Sequence, residues 1–302
     1  MISLKSPIFY SLVLMFLLSC SMERAPLGTE KNPIKIYFTP SVEAKKIEDH
    51  SKTIKKYLEV NTPYKYKVAS PTSYIAVIEA FGTKRADVAA LNTFGYILAQ
   101  EKYGVEARII FLRYGSDTYK AQIITKNDNK INSMKDLDKK KFAFVDPSST
   151  SGYLLPLKMF KDAGIAPSET VFASRHDNVV TMIYQGQVDA GATFYSPPEK
   201  GKIQDARRLV KTQYPDVEEK IKILQLSEPI PNDPIVFRKD VPEEMKSTII
   251  NTLEKFIKTK DGKDAFYAIY GATNFRKASD KDYDVVRKML KTIGKSAESL
   301  VK

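Results

Sequence analysis

Residues 144–156 read FVDPSSTSGYLLP. An apolar stretch ends at Asp146-Pro147, and four small hydroxyl residues follow in a row: Ser148, Ser149, Thr150 and Ser151. Gly152 then opens an apolar, helix-like run from Tyr153 to Phe160. Hydroxyls at a strand-to-helix turn can cap the helix, which takes one side-chain oxygen accepting from an N–H of the first turn. They can also cradle an anion, because the first N–H groups of a helix lack intrahelical partners and carry partial positive charge. A tetrahedral oxyanion presents at least three acceptor oxygens, matched by the hydroxyls of Ser149, Thr150 and Ser151, whereas a cap leaves most of them idle. A third use is nucleophilic, with Ser149 or Ser151 attacking and His176 as base. That chemistry needs a carboxylate to orient the imidazole, and Asp177, adjacent in sequence, is poorly placed for it. No Gly-x-Ser-x-Gly elbow is present, and one cysteine with two histidines argues against a zinc site.

The elements around these residues alternate. Ile34–Phe38, Tyr66–Ala69 and Asp87–Leu91 read as strands; Ala44–Leu58, Ser73–Phe81 and Tyr96–Tyr103 carry apolar residues at helical spacing between them. A second block repeats the order: strands at Tyr119–Thr125, Lys141–Val145, around Val171, Asp189–Ala192 and Lys222–Leu226, with helices at Tyr153–Phe160 and Asn178–Tyr184. The tail, Glu243–Ile257 and Tyr283–Ile293, reads as helical. Such alternation implies β-α-β units and an α/β fold with mostly parallel sheets flanked by helices. Crossover strands near 117–124 and 232–238 divide the chain into two lobes. The first is discontinuous (34–116 with 233–302), and the second (117–232) is inserted into it. Two lobes joined by two crossings form a hinge-bending clamp.

The N-terminus has its own character. Lys5 precedes an apolar run from Ile8 to Leu18, too short for a permanent membrane span and suited to a signal-peptide core, residues 1–19. The chain's one cysteine, Cys20, closes the run as Leu-Leu-Ser-Cys. Residues 20–33, polar with Pro and Gly, read as a tether. With 302 residues, 43% hydrophobic and 28% charged, the chain is globular and long enough for two domains. Its net charge of +12 favours acidic partners, but the lysines are dispersed and no nucleic-acid-binding motif is present.

Taken together, these pieces resemble the substrate-binding proteins of phosphonate, phosphite and phosphate ABC importers. The resemblance covers about residues 34–290 and rests on SYIAVIEAFGTKRADVAAL (73–91), FVDPSSTSGYLLP (144–156), SRHDNVVTMIYQGQVDAGAT (174–193) and EPIPNDPIVFR (228–238). The Leu-Leu-Ser-Cys run resembles a bacterial lipobox, in which the cysteine is lipidated and becomes the new N-terminus. The resemblance implies a type II periplasmic-binding fold with two crossover hinge strands, ligand held in the cleft, and no catalysis.

It also implies roles for single residues. Ser149, Thr150 and Ser151 become the oxyanion cradle, and His176 matches a histidine that points into the cleft and hydrogen-bonds a phosphonate oxygen. Tyr74 matches a tyrosine donating from the opposite lobe. Asn92, Thr93 and Tyr96 fall where the first lobe meets ligand, although this chain has LNTFGY where relatives often carry a Gly-Pro turn. Asp233 lies at the second crossing, open to a hinge or a ligand role. The expected partners are a small oxyanion, an ABC permease and ATPase, and the membrane through a lipid on Cys20; the chain is expected to be monomeric and to need no cofactor. Relatives that take an aminoalkyl phosphonate carry an acid just after the Gly-Ala-Thr strand. Here Phe194, Tyr195 and two prolines occupy that stretch, and Glu199 or Asp233 are the remaining acids. Phosphite, phosphate or a short alkyl phosphonate should therefore bind better than 2-aminoethylphosphonate. The competing readings are the same fold serving a sulfonate or a pyrimidine precursor, or feeding a sensor kinase.

Overall fold

The computed structural model describes residues 25–293. Cys20, the signal segment and residues 20–24 of the expected tether lie outside them. Two six-stranded sheets, each flanked by helices, make the fold. The first holds β1 (Ile34–Phe38), β2 (Tyr66–Ala69), β3 (Val88–Ala90), β4 (Glu106–Leu112), β11 (Pro234–Phe237) and β12 (Asn274–Lys277), in the order β12-β4-β11-β3-β1-β2. The second contains β5 (Thr118–Lys126), β6 (Lys141–Phe144), β7 (Glu169–Phe172), β8 (Ala190–Tyr195), β9 (Ile221–Leu226) and β10 (Ile230–Pro231).

Both sheets are mixed rather than mostly parallel. The β-α-β segments give parallel pairs, β2 and β3 on β1 and β7 and β8 on β6. The strands on either side of each crossing return in the opposite sense, so β11 runs antiparallel to β3 and β4, and β5 antiparallel to β8, β9 and β10.

The helices are α1 (Ala44–Asn61), α2 (Tyr74–Gly82), α3 (Thr93–Tyr103), α4 (Leu155–Ala163), α5 (His176–Tyr184), α6 (Val217–Lys220), α7 (Glu243–Phe256), α8 (Lys260–Tyr270) and α9 (Asp284–Ile293). Their apolar faces follow the helical period: α1 buries Ile47, Ile54 and Leu58, and α8 buries Ala265, Phe266, Ile269 and Tyr270. Residues Thr150–Leu154 form a π-helical turn that continues into α4.

The crossings lie side by side, with the Asn232 N–H donating to the Asp117 carbonyl at 2.8 Å. The Asn232 amide also donates to the carbonyls of Phe111 and Ser116, at 2.9 and 3.0 Å. Apolar packing is continuous from lobe to lobe, since Tyr119, Leu154 and Leu155 share a buried cluster with Phe94, Ile97 and Tyr283. Residues 25–33 do not stand free as a tether. The Gly28 carbonyl accepts from Lys65 N–H at 2.8 Å, and Leu27 packs on the first lobe's core.

Candidate ligand-binding site

A cavity of about 40 Å³ lies between the sheets. That is roughly three times the space needed for one water, a volume suited to a compact ligand. The second lobe contributes Ser149, Ser151, His176, Phe194 and Arg208; the first contributes Tyr74, Asn92, Asp233 and Tyr270, and Arg113 enters from the first crossing.

The Ser149–Ser151 turn lies at the N-terminus of the helix that starts at Thr150. Ser149 is the cap, its Oγ accepting from Gly152 N–H at 3.1 Å, which leaves the hydroxyl hydrogen free to donate. A Cβ at Gly152 would overlap the Val145 side chain and come within 2.9 Å of Ser149 Oγ, so glycine is what lets the turn sit against its strand. Ser151 is buried and lines the cavity.

Nine buried side-chain polar atoms among the described residues have no hydrogen-bond partner within the protein. Five of them line this one cavity: Tyr74 Oη, His176 Nδ1, Asp233 Oδ1, Arg208 Nε and Tyr270 Oη. Buried polar groups are nearly always paired, and an orphan costs about 1–3 kcal/mol. Five such atoms on residues lining one cavity are therefore a concentration of unmet hydrogen-bonding capacity.

The charges fix its sign. Arg113 is fully engaged: it pairs with Asp233 at 2.9 Å, donates from Nε to the Tyr270 carbonyl at 2.9 Å, and bonds the Asn232 side chain. Arg208 stacks on the Tyr267 ring at 4.8 Å and reaches the Tyr267 carbonyl at 3.4 Å. Among the described residues it forms no ion pair, because its neighbour Asp205 is taken by Arg207 at 2.9 Å. Burial pushes the Arg208 guanidinium below its usual value, yet an arginine keeps its proton in a protein. The cavity thus carries a surplus positive charge. Burial, helped by Arg113, holds the His176 imidazole down to about 3, so it is neutral. Burial raises the Tyr74 phenol well above its ordinary range, keeping it a donor, and raises Asp233 against the opposing pull of Arg113.

A family model described as "ABC transporter, phosphonate, periplasmic substrate-binding protein" matches residues 36–283. The chain belongs to this family. It is 28% identical over 228 residues to the phosphonates-binding periplasmic protein of Escherichia coli, covering 72% of this chain and 63% of that one. It is 30% identical over 162 residues to the phosphate-import protein PhnD of Mycolicibacterium smegmatis, covering 49% of this chain and 50% of that one. The chain thus spans between half and under two thirds of the length of these curated relatives. Among solved structures, methylphosphonate-bound PhnD1 from Prochlorococcus marinus superposes with a TM-score of 0.74 at 19% identity, covering 87% of this chain and 98% of that one. A binding protein of a Pseudomonas aeruginosa phosphonate transporter gives 0.75 at 19% identity, over 87% of this chain and 85% of that one. The fold is the type II periplasmic-binding fold.

In this family member the expected site residues divide. Tyr74, Asn92, Ser149, Ser151, His176 and Asp233 all line the cavity. Thr150 does not. Its Oγ1 accepts from Phe94 N–H at 2.8 Å and contacts Asn92 Oδ1 at 3.3 Å, so it joins the second lobe to the first. Successive residues of a helical turn point in different directions, so four adjacent hydroxyls cannot share one target. Ser148 is also off the cavity; its N–H donates to Asp146 Oδ1 at 2.7 Å. Thr93 donates its hydroxyl to the Pro231 carbonyl at 2.6 Å, bracing the second crossing. Tyr96 points the other way, donating to Asp280 at 2.6 Å and packing on Tyr283. Asn92 caps α3 by accepting from Gly95 N–H at 2.6 Å. Phe194 sets its ring edge-on to His176, with centroids 5.0 Å apart, while Glu199 pairs by backbone with Lys202 outside the cavity. Sequence reasoning missed Arg113, Arg208, Tyr119 and Tyr270. Each is unremarkable in its own segment, and only the folded chain brings them to one cavity.

Proposed function

We propose that this chain is the extracytoplasmic solute-binding component of an ABC importer, that it captures a small phosphorus oxyanion between its lobes, and that it performs no chemistry. The observation that carries this reading is the set of five unpartnered polar atoms around one cavity, one of them on Arg208, which forms no ion pair among the described residues. Donors from both lobes would close on one anion, so the ligand favours the closed arrangement by differential affinity. Asp233 separates phosphorus from sulfur oxyanions. Its Oδ1 is a buried acceptor without a partner, on a residue that lines the cavity, and a singly protonated phosphate or phosphonate would supply a hydroxyl to it, whereas a sulfonate has none. Lipidation at Cys20 would hold the protein on the membrane beside a permease and its ATPase.

Calorimetry on residues 21–302 with phosphate, phosphite, methylphosphonate, 2-aminoethylphosphonate and a sulfonate tests this. One-site binding of a phosphorus oxyanion, weak binding of the sulfonate, and a loss of about tenfold or more in Tyr74→Phe support it. Absence of binding by every phosphorus oxyanion, or a Tyr74→Phe variant equal to wild type, contradicts it.

A further inference from the structure

The cavity's donors come in two groups. Tyr74, Ser149, Ser151 and His176 stand at the starts of α2, the π-turn into α4, and α5. Arg208 and Tyr270 come from elsewhere: Arg208 from the short helical segment Ala206–Val210, and Tyr270 from the end of α8. The second group is not explained by a three-oxygen cradle.

Three features define it. Arg208 Nε is shut off from solvent without a partner, and the guanidinium is fixed in orientation by the Tyr267 ring and carbonyl. The two cavity arginines meet beside Gly271, where an added Cβ would lie 3.2 Å from Arg208 Nη2 and 3.9 Å from Arg113 Nε. Gly271 caps α8 in the left-handed region (φ +64°), so glycine serves both the turn and the space the guanidiniums occupy. Finally, Tyr270 Oη is a second unpartnered donor from the adjoining residue. Two arginines with the single carboxylate of Asp233 leave one cation uncompensated, an arrangement that is costly without an anion against it.

Resting on the oxyanion reading above, we propose that Arg208, assisted by Tyr270, reads the ligand's fourth substituent and selects an acceptor oxygen there. Orthophosphate is then preferred over methylphosphonate and phosphite. A methyl or a hydrogen at that vertex would leave Nε–H and the phenol unpaired, and unpaired buried donors give strong discrimination against an analogue lacking the acceptor. An ammonium-bearing substituent would meet the uncompensated guanidinium and be repelled.

The test is a titration of phosphate and methylphosphonate into wild type, Arg208→Met and Arg208→Lys. Wild type should prefer phosphate by about ten- to a hundredfold. Arg208→Met removes the cation from both ligands but the Nε–H partner from phosphate alone, so it should weaken phosphate more than methylphosphonate and narrow the preference. Arg208→Lys, which keeps the charge and loses Nε–H, should narrow the preference too, and it decides the matter if Arg208→Met does not fold. Equal losses for both ligands in the variants would overturn the proposal while leaving the oxyanion site intact, as would a wild type that prefers methylphosphonate. A wild type that binds neither would overturn the oxyanion reading and this inference with it.

Discussion

Thr150→Val should weaken ligand binding without touching ligand. Thr150 Oγ1 accepts from Phe94 N–H at 2.8 Å across the lobe interface and is fully buried. Valine keeps the shape and removes the acceptor, leaving a buried N–H unsatisfied in the closed state at a cost of about 1–3 kcal/mol. When the lobes part, that N–H reaches water, so the penalty falls on closure alone. Apparent affinity scales with the closed population, which converts the penalty to about five- to 150-fold weaker binding. Because Thr150 does not line the cavity, the loss should be equal for every oxyanion, and Thr150→Ser should recover most of it. Calorimetry with two oxyanions, paired with X-ray scattering to follow closure, measures both effects. A Thr150→Val variant that binds as wild type does, or one whose loss differs between ligands, would refute the role of Thr150 as a latch between lobes.

His176 should make the ligand-free protein acid-sensitive. Its folded value near 3 lies below the unfolded value of about 6.5, so its contribution is whole above pH 6.5 and falls as pH drops towards 3, by up to about 1.4 kcal/mol per unit. Thermal melts at about pH 7.5 and 5.5 should therefore show wild type losing more stability on acidification than His176→Gln; parallel losses would count against a neutral buried imidazole. The aminoalkyl ligand, 2-aminoethylphosphonate, should be the weakest phosphonate in calorimetry because Phe194 and Arg208 line the cavity with His176 and its carboxylate, Asp233, is already paired with Arg113; tightest binding by it would show this wrong. Cys20→Ala should abolish labelling by a fatty-acid probe in cells, and equal labelling of variant and wild type would exclude the anchor.

The alternation of strands and helices was legible because each β-α-β segment has its own apolar period, and β1 and β2 fall on the residues read as strands. Less local features were hidden. The antiparallel return of β11 between β3 and β4 depends on pairing across more than a hundred residues, which no segment announces. Helix α8 starts with Lys260-Asp261-Gly262, a weak helix-forming stretch, and its glycine is required because a Cβ would run into the Phe256 backbone. In the site, the Ser-Ser-Thr-Ser-Gly run signalled a cradle through composition alone, but composition carries no direction. Thr150 turned to the facing lobe, and Tyr96 to Asp280. Arg113 and Arg208 show the converse case, ordinary surface-type residues in their own segments that the fold brings to one cavity.

The most direct measurement is a crystal structure of residues 21–302 with phosphate. Phosphorus should lie in the interlobe cavity, with the hydroxyls of Ser149 and Ser151, the Tyr74 phenol and Arg208 Nε each within about 3.2 Å of a ligand oxygen. Phosphate bound elsewhere, or a closed cleft in which those four groups do not face it, would contradict the account.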